Sequence, residues 1–426
     1  MDRISRIPQK ILYFLIALPV IFLLTNIYPY LEIFSVLILV FLGVIFFLYL
    51  RKVTPYHKSL LFILLIIFTY FILSYFFTNQ SLSVFLSFTF IKFDGNFFFC
   101  YILFFILAVP FFDYKEASEV YFNFIFFAFS ILGIYGIFEY FTHGMILIRS
   151  YQRMYLALNF AHNATGSIYA IASIFALIFF LFERKRNKKI LYFIIFFILF
   201  SDLVLTQSRG SLIGFIAGVV FVLLMYFKSF KKFIIGFGIL AVVSVPFIIL
   251  SGLYKRFIKI FSATGDANTI IRLDLWSKAW HLFLKSPIFG IGFGRINDVY
   301  DVYDGIHLTG YEGGINFYMG SHIITDSSHA HNSYLQFLAE TGLLGLGLLL
   351  LFWIFCFRMI FKAYFSANNT FSKNLHLAAL SSIVILFVLA LTENYFSAST
   401  VMVMISMVVS FSIGLSWQEN NSTKFE

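Results

Sequence analysis

Long apolar runs constrain this chain more than any other feature. Twelve of them lie at 11–28, 32–50, 59–77, 96–112, 120–141, 164–182, 190–207, 210–227, 233–250, 333–357, 376–392 and 397–416. Each approaches the roughly 20 apolar residues that carry a helix across a bilayer. They are apolar on all sides, which excludes the short, alternating strands of a membrane barrel. Composition supports the same reading, with 61% hydrophobic residues, 12% charged residues and 62 Phe. A soluble chain is about half apolar and about a quarter charged, so this one could not hide its apolar surface in water. The pattern predicts an all-α polytopic membrane protein with about twelve spans. It excludes a disordered chain, a coiled coil and a disulfide-built secreted scaffold.

The formal net charge of +10 falls into place by position. Twelve spans put both termini on one side. That side collects 19 basic residues, from Arg3, Arg6 and Lys10 through the Arg184–Lys189 cluster to Lys424. The short opposite loops hold only Lys92, Arg149, Arg153 and Arg209. The bias predicts that the first side is cytoplasmic. The apolar run after Lys10 lacks a small-residue cleavage site, which predicts a retained first span. Cys100 and Cys356 then fall near opposite faces and should stay unpaired.

One loop is much longer than the others. Residues 251–332 join spans nine and ten on the external side, and loops of this length inside compact proteins are usually functional. They divide the chain into 1–250 (spans one to nine), 251–332 (an external loop) and 333–426 (spans ten to twelve and a cytoplasmic tail). Within the loop, 270–286 places Ile271, Leu275, Ala279 and Leu282 at helical spacing, which predicts an amphipathic helix lying against the membrane.

Polar chemistry gathers in three places. The first is Thr206-Gln207-Ser208-Arg209-Gly210, at the start of span eight. Arg209 is either an interfacial snorkelling side chain or an anion ligand at a helix N-terminus, where free N–H groups already favour negative charge. Gly210, Gly214 and Gly218 follow at four-residue spacing, a pattern of close helix packing. The second is Arg272-(x3)-Trp276, followed by Pro287 and Gly290-Ile-Gly292-Phe-Gly294. It lacks the GxGxxG spacing and βαβ context of a nucleotide loop, so a turn is expected. The third is Asp326-Ser-Ser-His329-Ala-His331-Asn332-Ser-Tyr334, opening span ten. A His here is a general base, a ligand or a polar cap. His329 and His331 would not share a helix face, and no HExxH motif or Cys pair supports zinc. Asp202, Glu340 and Glu393 lie at or within membrane spans, where an acid needs a partner.

In this order the three clusters resemble the O-antigen ligase / O-antigen polymerase superfamily of bacterial membrane glycosyltransferases, over roughly 195–350. The matching residues are Ser208-Arg209-Gly210, Arg272 to Gly294 as above, and His331-Asn332-Ser-Tyr-Leu335 with Glu340-Thr-Gly342-Leu-Leu-Gly345. Arg149, Arg153 and His162-Asn163 look like the family's looser external polar loop. The resemblance implies a helical GT-C-like architecture in the inner membrane, with a periplasmic active site and no metal or cofactor. It implies a glycan donor on undecaprenyl diphosphate. The acceptor would be lipid A–core for a ligase, the favoured reading, or a growing chain for a polymerase. His331 would be the general base, Arg209 and Arg272 would hold the diphosphate, and Asn332, Arg153 and His329 would support them. No nucleic-acid partner is implied.

A lipid-glycan transporter is the competing class. Transporters usually show internal repeats and midplane polar sites, whereas these clusters gather at external helix ends. The predicted orientation is tested with single cysteines at Asp301 and Lys188, in a chain lacking Cys100 and Cys356. Only Asp301→Cys should react with an impermeant thiol reagent once the outer membrane is permeabilised. Labelling at Lys188→Cys instead would reverse the orientation.

Overall fold

The computed structural model describes residues 55–77, 97–98, 100–102, 117–142, 162–227, 267–296 and 329–422, with single positions between 231 and 254. Among the described residues the chain is helical and carries no strand. The helices are α1 (Pro55–Phe77), α2 (Ala117–Thr142), α3 (His162–Phe182), α4 (Arg186–Leu205), α5 (Arg209–Tyr226), α6 (Ala267–Lys285), α7 (Ser333–Ser366), α8 (Thr370–Leu389) and α9 (Ser399–Ser422). Among the described residues five helices (α1, α3, α5, α7 and α8) are long and apolar enough to cross a membrane. Shorter apolar stretches lie in α2 (Phe126–Thr142) and α9 (Thr400–Ser416). The expected runs 11–28 and 32–50 lie outside the described residues, as do most of 96–112 and 233–250.

Polar side chains fix the helix starts. Ser208 caps α5 by accepting from Ser211 N, and Asn369 caps α8 by accepting from Ser372 N at 2.8 Å. Each satisfies a donor that a helix N-terminus otherwise leaves open. Between the helices the core is aromatic. Phe71 stacks on Phe293 at 4.8 Å and meets Phe337 at 5.8 Å, tying α1 to the turn after α6 and to α7. The glycine row on α5 faces α8 as its spacing suggests. A Cβ at Gly210 would meet Thr392, one at Gly214 would meet Leu389, and one at Gly218 would meet Ile385.

The most unusual element is the break in α7. Gly342 has φ +64°, in the left-handed region, and interrupts the helix. An interrupted helix frees backbone groups, and lipid offers nothing to satisfy them. Here the Gly-rich turn after α6 supplies the partners. Leu343 N donates to Pro287 O at 2.9 Å and Leu344 N to Ile288 O at 3.2 Å. Ile291 N donates to Ala339 O at 3.0 Å and Gly292 N to Glu340 O at 2.9 Å. The Tyr70 hydroxyl, from α1, donates to Thr341 O at 2.9 Å and Phe289 O at 3.1 Å. Gly290, Gly292 and Gly294 all have positive φ, so the GxGxG motif is a turn shaped to fit the break. Glu340 is also accounted for: it accepts from Gln336 Nε2 at 2.7 Å and Ile296 N at 3.2 Å.

Two sequence expectations change. The stripe expected to rest on lipid faces protein instead, because Ala279 and Leu282 of α6 are buried with Ile296, Ala330 and Ala339 of the adjoining turn and α7. The cysteines are buried and unpaired, but they do not lie at opposite faces. Both are within electrostatic reach of the Tyr101 hydroxyl, which also accepts from Trp353 Nε1 at 3.1 Å.

The turn–break pairing makes two glycines indispensable. A Cβ at Gly290 would lie 2.3 Å from the Glu340 backbone, and one at Gly342 would lie 2.3 Å from Ile288 O. The left-handed conformation alone costs another residue about 1–2 kcal/mol. Gly290→Ala and Gly342→Ala should each lower the melting temperature of the purified protein and its folded yield. Gly347→Ala, with nothing within 4 Å, should leave both unchanged.

Candidate active site

The helices alternate in direction, so one end of the bundle collects the starts of α3, α5 and α7 and the end of α8. The turn after α8 carries Glu393, whose side chain is 10% exposed. A carboxylate so enclosed is costly unless it is paired, and this one is fully engaged. Its Oε1 accepts from Arg272 Nη2 at 2.7 Å and from Asn163 Nδ2 at 2.9 Å. Its Oε2 accepts from His331 Nδ1 at 2.6 Å. Its backbone carbonyl accepts from Ser333 Oγ at 2.9 Å. Burial acts to raise the Glu393 carboxyl, but the hydrogen bond and charge of His331 and the charge of Arg272 outweigh it and hold the group below the ordinary carboxylate range. Glu393 is therefore an anion.

That anion assigns the His331 tautomer. A carboxylate only accepts, so Nδ1 carries a proton; when the imidazole is neutral, the other ring nitrogen, Nε2, is then an acceptor. The His331 side chain is 30% exposed, which leaves the ring accessible. Its backbone is left-handed, with φ +48°, a conformation rare outside glycine and concentrated at functional sites. His329 helps hold it there, because His329 Nδ1 accepts from His331 N at 3.2 Å. The two rings pack edge to face at 4.2 Å. They meet, contrary to the helical spacing argument, because both precede the first residue of α7. Burial, and then the neighbouring His331, lower the His329 pKa to about 4, so His329 is neutral at ordinary pH.

Asn332 settles which residue caps α7. Its Oδ1 accepts from Tyr334 N at 3.0 Å and Leu335 N at 3.1 Å. The cap is filled, so His331 is not needed for it.

Arg209 begins the neighbouring helix. A Cβ on Gly210 would stand 2.5 Å from Thr392 Oγ1, so the start of α5 abuts the residue before Glu393. Gln207, just before it, also has positive φ, +54°. Asn163 links the two halves: Ser208 Oγ donates to its Oδ1 at 3.0 Å while its Nδ2 donates to Glu393. The structure thus brings Arg272 and His331 onto one carboxylate, with a ring nitrogen of His329 within 4.8 Å of it and the Arg209 helix start beside it. Arg153 lies outside the described residues. Two site residues were missed as such in the sequence. Asn163 was noted only within a polar loop, and Glu393 only as an acid needing a partner. Asp202 lies elsewhere, buried in α4 against Gly133 of α2, with neither carboxylate oxygen hydrogen-bonded among the described residues.

One nitrogen each of His329 and His331 and an oxygen of Glu393 lie within 4.8 Å of one another, a spacing that could hold a cation. As the side chains stand, both Glu393 oxygens are already spent on hydrogen-bond donors, one of them the Arg272 cation.

With this geometry in place, the comparison with known proteins is informative. Residues 194–350 match the O-antigen ligase family model. The matched segment coincides with the stretch of the sequence resemblance, which is thereby borne out, and it contains Arg209, Arg272 and His331. A segment of 111 residues is 29% identical to the "Teichuronic acid biosynthesis protein TuaE" of Bacillus subtilis (strain 168). It covers 23% of this chain and 23% of that protein, so the two share about a quarter of their length.

The two lowered pKa values predict an acid-labile site. A group whose folded pKa lies below its unfolded value stabilises the fold above the unfolded value. That contribution is lost as pH falls towards the folded value. For His329 the window runs from the ordinary His value of about 6.5 down to about 4. The melting temperature of the purified protein should fall across that window. His329→Asn should flatten the fall; an unchanged slope would mean that His329 is not held neutral.

Proposed function

We propose that this chain is a membrane glycosyltransferase acting on lipid-linked glycans. It moves a glycan from undecaprenyl diphosphate to a sugar hydroxyl, and an O-antigen ligase acting on lipid A–core in the periplasmic leaflet of the inner membrane is the favoured form. The observation that carries this reading is the Glu393 carboxylate shared by His331 and Arg272 beside the Arg209 helix start; Arg209, Arg272 and His331 lie inside the segment that matches the ligase family, and Glu393 lies beyond it.

Each residue has a role in such a reaction. Attack of a hydroxyl on the anomeric carbon needs a base, and His331 Nε2 can take the proton while Glu393 stabilises the imidazolium that forms. Negative charge grows on the departing diphosphate. Arg272, fixed in direction by Glu393, and Arg209, at a helix N-terminus, can meet it with guanidinium forks. His329 stays neutral and adds no competing cation. On this reading no metal or cofactor takes part. The second form is a polymerase whose acceptor is a growing glycan chain, and the relative's name, for teichuronic acid biosynthesis, does not choose between the two.

The direct test is transfer by the purified full-length protein in nanodiscs, supplied with an undecaprenyl-diphosphate-linked glycan. His331→Gln keeps a hydrogen-bonding group but cannot carry the proton, and should lower the rate by about 10²–10⁴. Arg209→Lys and Arg272→Lys keep charge but lose the fork, and should lose most activity while the protein still inserts. An active His331→Gln protein would remove the base assignment. Chelator-sensitive activity restored by zinc would replace it with a cation at His329, His331 and Glu393. Gene deletion separates the two forms: polymer stranded on its carrier indicates a ligase, single repeats on the acceptor indicate a polymerase, and unchanged glycan would argue against both.

A further inference from the structure

Helix α6 has two apolar faces. One packs on the protein through Leu275, Ala279 and Leu282. The other consists of Leu273, Trp280 and Leu284, spaced by seven and then four residues on one side of the helix, and all three are exposed. It continues into Ile288 and Phe289, each 60% exposed. In a loop surrounded by water this would be an unusually apolar edge.

The level of this edge comes from the backbone pairing. Tyr70 bonds to Phe289 O and Thr341 O, and Tyr70 lies seven residues before the end of α1. At helical rise that is about 10 Å inside the end of a span. The same pairing sets Pro287 and Ile288 beside Leu343 and Leu344, which begin the exposed apolar stripe of α7 that runs on to Leu351 and Ile354. The α6 ridge and the lipid-facing stripe of α7 are thus one continuous surface. Its borders suit a bilayer boundary: His281 and Lys285 are exposed on one flank, and Trp280 has the amphipathic ring enriched at interfaces.

We infer that α6 and the turn after it form a re-entrant limb that enters the leaflet on the active-site side, with Leu273, Trp280, Leu284, Ile288 and Phe289 in contact with lipid acyl chains. The non-helical turn can lie at that depth because its backbone groups pair with the broken α7. The limb carries Arg272, next to the ridge residue Leu273, and insertion of the ridge would set that arginine at the level of the headgroups. If the transferase reading holds, that is the height of a lipid-borne diphosphate; the insertion itself does not depend on that reading.

The test uses the full chain in phosphatidylcholine nanodiscs with Cys100 and Cys356 replaced by Ala. An environment-sensitive fluorophore is attached at Leu284→Cys, Phe289→Cys, His281→Cys or Leu351→Cys, and Leu273→Cys reads the same ridge if one variant fails to fold. Labels at Leu284 and Phe289 should be blue-shifted. Phosphatidylcholine spin-labelled near the top of its acyl chain should quench them as strongly as the Leu351 label, and the His281 label much less. Quenching of the ridge labels by aqueous iodide as for His281 would overturn the inference. So would shielding from both quenchers, which would mean that a second copy or another segment of the chain covers the ridge. Loss of transfer activity plays no part in the readout, so this test and that of the transferase reading fail separately.

Discussion

A single enclosed carboxylate sets the geometry of the polar end of this bundle. Glu393 cannot remain charged among apolar helices without compensation, and the compensation comes from three other helices or their approaches. Arg272 arrives on α6, Asn163 on α3 and His331 on the segment before α7. Removing one partner from such a group leaves a buried charge incompletely matched, which is costly by several kcal/mol in comparable cases. The cluster therefore orders the helix ends relative to one another as well as orienting a histidine.

Behind that cluster lies a second constraint, on backbone rather than on charge. The break at Gly342 would leave amides and carbonyls open within an apolar bundle, and the turn at 287–292 closes them one by one. The two constraints are connected through α6, which runs from Arg272 to that turn. Pairing the turn with α7 fixes one end of α6, and Glu393 holds Arg272 near the other. An arginine outside the spanning helices would ordinarily be mobile. This one is held from both sides, with its side chain still 27% exposed for a ligand.

The sequence made the apolar architecture legible, because helices in lipid must be long and apolar on all sides, and α1–α5 and α7–α9 fall on predicted runs. It also made Arg209, Arg272 and His331 legible, each as one residue in a short polar cluster. It could not show that Glu393 joins two of them. Glu393 is 62 residues from His331 and 121 from Arg272, and nothing in local spacing signals a contact of that range. The expectation about His329 failed for a definite reason. The rule that residues two apart face away from each other holds inside a helix, and both histidines lie outside one, in backbone that turns through a positive φ. The α6 stripe was misassigned because periodicity identifies an apolar face without saying whether protein or lipid covers it.

On the proposed roles of His331 as base and Arg272 as leaving-group clamp, sharing one carboxylate has a consequence for the clamp. Glu393 accepts a hydrogen bond from His331 and pairs with the Arg272 guanidinium. A diphosphate drawn to Arg272 would compete with Glu393 for the same guanidinium. The hydrogen bond from Asn163 to Oε1 keeps that oxygen partnered if Arg272 turns towards a ligand. A carboxylate held by Arg272 alone would then be left exposed to its desolvation cost, and the clamp would be harder to release.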